Sequence, residues 1–277
     1  MRFACFFAAF GAAPAYAANL LALLYLLLSV YVYISLIRQI GARTSVPASG
    51  PTKTFGLPEA ILAAALVLFL LLNISASASH PSVELSSRNL LANLLFTVFV
   101  VLFIMTFLQL RGFDLSSLAG FFKIGFVRAV GTGIILLLAA YPLIVLANAI
   151  TQRFFGGGSS RQNIVELFSG SPTIEERIMI IVFAVAIAPV VEELLFRFFL
   201  YRVIKRYLGL FLGISVNALL FAAAHAHFPS FVPLFVLGCC FTIAYEWSGS
   251  ILVAMTMHSL FNSVTLVVLA FPELVSQ

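Results

Sequence analysis

Eight apolar runs, each about the length of a bilayer-crossing helix, leave this chain few ways to fold. They cover residues 18–37, 57–75, 89–110, 124–150, 178–201, 208–227, 229–246 and 250–271. A helix needs about 20 apolar residues to cross a hydrocarbon core of ~30 Å. Inside that core every backbone N–H and C=O must find a partner within the protein, so only helices and closed barrels span it. A barrel strand would alternate apolar and polar residues, whereas these runs are continuous and predict helices. The chain is 62% hydrophobic and 9% charged over 277 residues, far below the ~25% charge of a soluble domain. The expected fold is therefore all-α, a polytopic integral membrane protein with about eight transmembrane helices, seven to nine being compatible. The weakest boundary is the sixth to seventh, where HFPS alone separates the runs.

Polar, Gly/Ser/Pro-rich loops fill 41–53, 75–88 and 154–177, as connections between spans should. Near the end of the last loop, Pro172 and Thr173 precede Glu175 and Glu176, placing acids where a helix dipole favours them. Arg38, Arg43 and Lys53 follow the first span; Arg111, Lys123 and Arg128 flank the link between the third and fourth; Arg202, Lys205 and Arg206 follow the fifth. If spans alternate, all of these fall on one side, which the positive-inside rule makes cytoplasmic. The net charge of +5 is accounted for by such helix ends and implies no nucleic acid partner. Cys5, Cys239 and Cys240 are odd in number and lie in apolar segments, so they read as small buried hydrophobes. Residues 1–17 form a signal-like or re-entrant segment broken at Pro14, expected to be retained. Residues 18–177 then form a transmembrane scaffold, and 178–277 carry the chemistry.

That division follows from where the charges sit. Glu192, Glu193, Arg197, His225 and His258 lie deep within spans, and all fall in the C-terminal part of the chain. A charge at the bilayer centre costs at least ~2.5 kcal/mol on insertion scales, so each calls for a function or a partner. Glu193 and Arg197 are four apart and share a helix face, where they can pair. Glu192 is turned about 100° from Glu193 and can face another helix. Phe221 and His225 are four apart, as are His258 and Asn262. Three helices thus offer a free carboxylate, two imidazoles and a carboxamide, with a Glu193–Arg197 pair bracing the first. His227 and Glu246 fall near span ends and read as interfacial.

This set suits hydrolysis of an amide. A partly desolvated carboxylate can act as general base towards water, while an imidazole and an amide N–H stabilise the oxyanion. The same Glu192, His225 and His258 could alternatively bind zinc and activate its water. The spacing contains one difficulty. Rising ~1.5 Å per residue from the basic ends puts Glu192 and His258 at similar depths but His225 further out. Assembly requires the sixth helix to start later, or to be tilted or broken.

EELLFR (192–197), FAAAH (221–225) and HSLFN (258–262) resemble the EExxxR, FxxxH and HxxxN motifs of the CAAX protease and bacteriocin-processing (Abi) family of intramembrane endopeptidases. The resemblance covers roughly residues 178–265. It implies Glu192 as the base that activates water, assisted by His225, with His258 and Asn262 at the oxyanion or holding the water. Glu193, Arg197 and Phe221 would shape the site, with zinc an unsettled cofactor. It further implies a peptide or protein substrate presented at the lipid bilayer, and a bacterial inner membrane with the site open to the cytoplasm. Phe198 departs from the family, which usually has Gly there, and would narrow the cavity. Two rival readings are a catalytically silent immunity or scaffold protein, and a proton-coupled transporter using the same acids and histidines as a relay.

Overall fold

The computed structural model describes residues 15–44, 53–79, 87–155 and 173–270, and these are helical almost throughout. The signal-like segment therefore lies outside the described residues, except for Ala15–Ala17, which open the first helix. In chain order the helices are α1 (Ala15–Thr44), α2 (Leu57–Ser79), α3 (Ser87–Leu110), the short α4 (Leu115–Ala119) and α5 (Phe126–Phe155). Then come α6 (174–208) and α7 (210–224), joined at Gly209, followed by α8 (Phe231–Ser248) and α9 (Ile251–Ala270). No strand occurs among the described residues.

Among the described residues seven helices are long and apolar enough to cross a membrane when Ile174–Ala224 is taken as one rod of 51 residues. Such a rod would be ~77 Å long, over twice the hydrocarbon thickness. It is not straight. Gly209 has φ 80° and ψ −179°, outside the helical region, in a conformation essentially confined to glycine. A Cβ placed on Gly213 would lie 3.0 Å from the Cα of Lys205. Residues eight apart in a straight helix are ~12 Å apart, so α7 folds back along α6. The fifth span starts earlier and ends later than its apolar run of 178–201. Its start is capped by Thr173, whose Oγ1 accepts the N–H of Glu176 at 3.2 Å.

The hairpin at Gly209 also removes the depth difficulty. Glu192 lies seventeen residues before the glycine (209 − 192) and His225 sixteen after it (225 − 209), so the two arms bring them level. The sixth helix begins near its expected start; the fifth runs on past its expected end.

Burial separates periphery from centre. The most apolar windows of α1, α2 and α3 are each 17% buried, against 50% for that of α8, so α8 is central and the first three helices present their apolar surface to lipid. The fourth span, α5, joins the two halves. Tyr25 and Tyr33 of α1 donate to the carbonyls of Leu138 and Leu136 at 2.6 and 2.9 Å. On its other side Gly133 meets α9, where a Cβ would lie 2.7 Å from Cβ of Thr256. Small residues at such crossings let backbones approach closely where no hydrophobic force drives helices together.

At the basic end, the turns are held by specific polar groups. Buried Glu59, at the start of α2, accepts from Arg111 Nε at 3.0 Å and from the N–H of Gly56 at 2.6 Å. Asp114 caps α4 by accepting the N–H groups of Ser116 and Ser117 at 3.0 and 3.3 Å. Gly120 ends α4 at φ 66° and lies against Gly249, which is also at φ 66°; a Cβ on Gly120 would be 1.8 Å from the Gly249 carbonyl oxygen.

Candidate active site

The carboxylate helix is locally unwound. Pro189 has no N–H and its ring clashes with the carbonyl four residues back, so the chain widens ahead of it into a π-turn over Phe183–Ile187. The α-helical stretch Ala188–Glu193 follows, and then a second wide turn over Leu194–Leu200. π-turns inside α-helices are frequent at functional positions. Here they bracket Glu192 and Glu193.

Glu193 and Arg197 are both 0% exposed, and Nη1 of Arg197 lies 2.8 Å from Oε1 of Glu193, as the four-residue spacing predicts. The guanidinium also donates through Nη2 to the Gly238 carbonyl of α8 at 3.3 Å. Its carbon stands 4.4 Å from the ring centroid of Phe221 and 5.2 Å from that of Phe241. Two aromatic faces thus replace part of the hydration the cation has lost.

Glu193 does more than brace. Its Oε1 also lies 2.8 Å from Nδ1 of His258 on α9. A carboxylate paired with a guanidinium only accepts, so Nδ1 carries the proton and Nε2 presents a lone pair. Nδ1 of His225 faces the Phe221 carbonyl at 2.8 Å, which selects the same tautomer. Both Nε2 atoms point at Glu192, with Oε2 3.8 Å from His258 and 3.9 Å from His225. This Oε2 is a buried atom with no hydrogen-bond partner, although the side chain as a whole is 28% exposed. Three acceptors converge with no hydrogen among them. A water molecule, which brings two, has the chemistry to fill that gap.

Phe221 is the packing centre of this group. It is fully buried, and its ring meets those of His225, His258 and Phe196 edge-on at centroid distances of 4.7, 5.6 and 5.4 Å. Asn262 lies one turn past His258 on α9. Its Nδ2 donates to the Ala184 carbonyl in the first wide turn at 2.8 Å, two turns ahead of Glu192. One of its two amide hydrogens is thereby committed to α6.

Zinc was the alternative use of Glu192, His225 and His258. Tetrahedral coordination at ~2.1 Å would hold the donors about 3.4 Å apart, closer than the 3.8 and 3.9 Å observed. Among the described residues no set of three His, Cys, Asp or Glu side chains is arranged to hold a metal ion. As placed, the donors stand about 0.4–0.5 Å wider than that spacing.

The remaining residues singled out by sequence fall as follows. Phe198 is fully buried within the second wide turn. Cys240 is buried and Cys239 half-buried, both in α8. His227 lies in the connection after α7, with Nδ1 2.8 Å from Ser230 Oγ. Glu246 is near the end of α8, pairs with Lys205 and accepts from Tyr201 Oη at 2.9 Å. The contact that sequence reasoning missed is Glu193 to His258, because a spacing of 65 residues carries no periodic signal; the one available hint was a second buried acid with a single cation to serve it.

Residues 174–264 match the family model described as Type II CAAX prenyl endopeptidase Rce1-like. The membrane-embedded CAAX protease MroQ of Staphylococcus aureus (strain USA300) is 31% identical to this chain over 134 residues, covering 46% of this chain and 51% of that protein. The chain thus spans about half the length of the curated relative it matches. No solved structure matches.

Proposed function

We propose that the chain is an intramembrane endopeptidase of the CAAX protease family, to which residues 174–264 are similar, and that its base is Glu192. The observation that carries this reading is the partnerless Glu192 Oε2 facing the two Nε2 atoms at 3.8 and 3.9 Å. A water held there donates one hydrogen to Glu192 and the other to the His225 nitrogen. As its oxygen bonds to the scissile carbonyl carbon, Glu192 takes the proton. The carbonyl becomes an oxyanion.

His258 keeps its Nδ1–H on Glu193, so its Nε2 lone pair faces the water and helps to hold it. Arg197 in turn holds Glu193 in place. The amide hydrogen of Asn262 not used by Ala184 is the donor to the oxyanion. Collapse of the intermediate breaks the C–N bond, and the proton on Glu192 passes to the leaving amine. The hydrogen left on the former water oxygen passes to Nε2 of His225, so the products are a carboxylate and an amine, and no step runs through a metal. Without Glu192 the rate should fall by about 10²–10⁴.

The substrate is a peptide or small protein held at the bilayer and cut near its end. A prenylated CaaX protein is one candidate. By the charge bias the site opens on the cytoplasmic side of a bacterial inner membrane. The test is terminomics on membranes from cells expressing wild type or Glu192→Gln at equal levels. New peptide ends present only with wild type are expected. Identical termini would overturn the protease reading in favour of a silent scaffold.

A further inference from the structure

At the basic end of the bundle, the last turns of α6, the end of α8, the α4–α5 connection and the segment before α2 line an open cavity of roughly 670 Å³. Its charged lining is Lys53, Lys123, Arg202, Lys205, Arg206 and Glu246, which is five cations against one acid. The acid is already used, by Lys205 and by the Tyr201 hydroxyl. Arg202 donates to Tyr245 Oη at 2.7 Å and to the Leu118 carbonyl, and Lys53 donates to the Arg111 carbonyl. Those acceptors are neutral, so they orient the two cations without cancelling their charge. Lys123 and Arg206 are exposed and pair with no carboxylate among the described residues. Four positive charges (5 − 1) are left uncompensated around a concave space, where low-dielectric walls focus the field.

We propose that this cavity binds a phosphate-bearing anion, the headgroup of an anionic phospholipid. Its position supports a lipid as the source. Lys205 and Arg206 lie just before the Gly209 turn, Glu246 two residues before the end of α8, and Lys53 ahead of α2. The charged groups therefore lie within about two turns of a helix end or in a connection, near the level at which headgroups lie. The volume is in the range of small-molecule sites, larger than a simple inorganic ion needs. Arginine forks and lysine point charges both match phosphate oxygens. Arg202 is ten residues past Glu192 on α6, ~15 Å along the axis, so the site is separate from the proposed hydrolytic centre and does not depend on that reading.

The test is native mass spectrometry of the full chain in detergent, offered equal amounts of phosphatidylglycerol and phosphatidylcholine. The wild type should retain the anionic lipid preferentially. Each basic side chain near an anionic lipid is worth about fivefold in binding, so Lys123→Gln with Arg206→Gln should weaken retention by about 25-fold. Arg206→Lys, which keeps the charge, should keep the preference, and Glu192→Gln should leave it unchanged. Displacement of the lipid by millimolar inorganic phosphate would assign the same site to free phosphate; persistence assigns it to the headgroup. Equal retention of both lipids, or a double glutamine variant that binds like wild type, would overturn the proposal.

Discussion

Replacing Arg197 with Met removes the cation that makes Glu193 tolerable inside the bundle, while keeping an unbranched apolar chain between Phe221 and Phe241. Both members of the pair are 0% exposed, so no water can take over from the guanidinium. Removing one partner of a buried ion pair typically destabilises by about 3–5 kcal/mol, because the other charge is stranded. An ordinary hydrogen bond between membrane helices averages only ~0.6 kcal/mol, so the two cases are separable by measurement. Adding Glu193→Gln removes the stranded charge. Its amide oxygen still accepts Nδ1–H of His258, and its NH2 group occupies the place of Oε2, which has no partner in the native site. The remaining penalty is that of a buried unpaired N–H, about 1–3 kcal/mol. The double variant should therefore be more stable than Arg197→Met by about 2 kcal/mol, a second substitution that repairs the first. Equilibrium unfolding in mixed detergent and SDS micelles measures both. A loss below about 1 kcal/mol for Arg197→Met, or a double variant no more stable than the single, would refute the claim that Glu193 is held as a charge by Arg197.

Further expectations concern the frame and the outer end of the site. Gly120→Ala should prevent accumulation of folded protein, since its Cβ would lie 1.8 Å from a backbone oxygen, whereas Gly209→Ala meets nothing within 4 Å and should lose only the backbone strain, about 1–3 kcal/mol; thermal melts of the two in detergent would rank them. Asn262→Ala should slow cleavage at least tenfold while changing stability by less than about 1 kcal/mol; a fall in activity no larger than the loss of folded protein would remove it from the oxyanion. Gly133→Val should push α9 away from α5 at Thr256, two residues from His258, and is expected to lower activity with substrate affinity unchanged, read as a fall in kcat at constant KM.

The membrane class and the site helices were legible in the sequence because each rests on a local period. Apolar runs give the spans, and spacings of four put Glu193 with Arg197, Phe221 with His225 and His258 with Asn262. What lay between helices was not legible. The division into a fifth and a sixth span was legible from Arg202, Lys205 and Arg206 between two apolar runs, but the bend itself falls later, at Gly209 in YLGLFLG, where no polar residue interrupts the apolar pattern. The wide turns around Glu192 shift the register of α6, so where Asn262 finds its acceptor cannot be read from a regular helix. Arg197 over Phe221 was likewise invisible, since it joins positions 24 residues apart (221 − 197) on opposite arms of the hairpin.

The Gly209 reversal makes chain length itself a constraint. Glu192 and His225 meet because two arms are measured off from a single bend, so the count of residues in each arm matters independently of what those residues are. One residue inserted between the bend and Phe221 would carry His225 through ~100° and ~1.5 Å, leaving its ring pointing away from Glu192 with every motif still spelled correctly. A matching insertion in the other arm could restore the level but would turn Glu192 as well. Relatives of this domain should therefore vary in the identity of the outward-facing residues among 210–220, though not at Gly213, Asn217 or Ala218, and scarcely at all in their number, which makes spacing from the bend a sterner criterion for a working copy than any single motif.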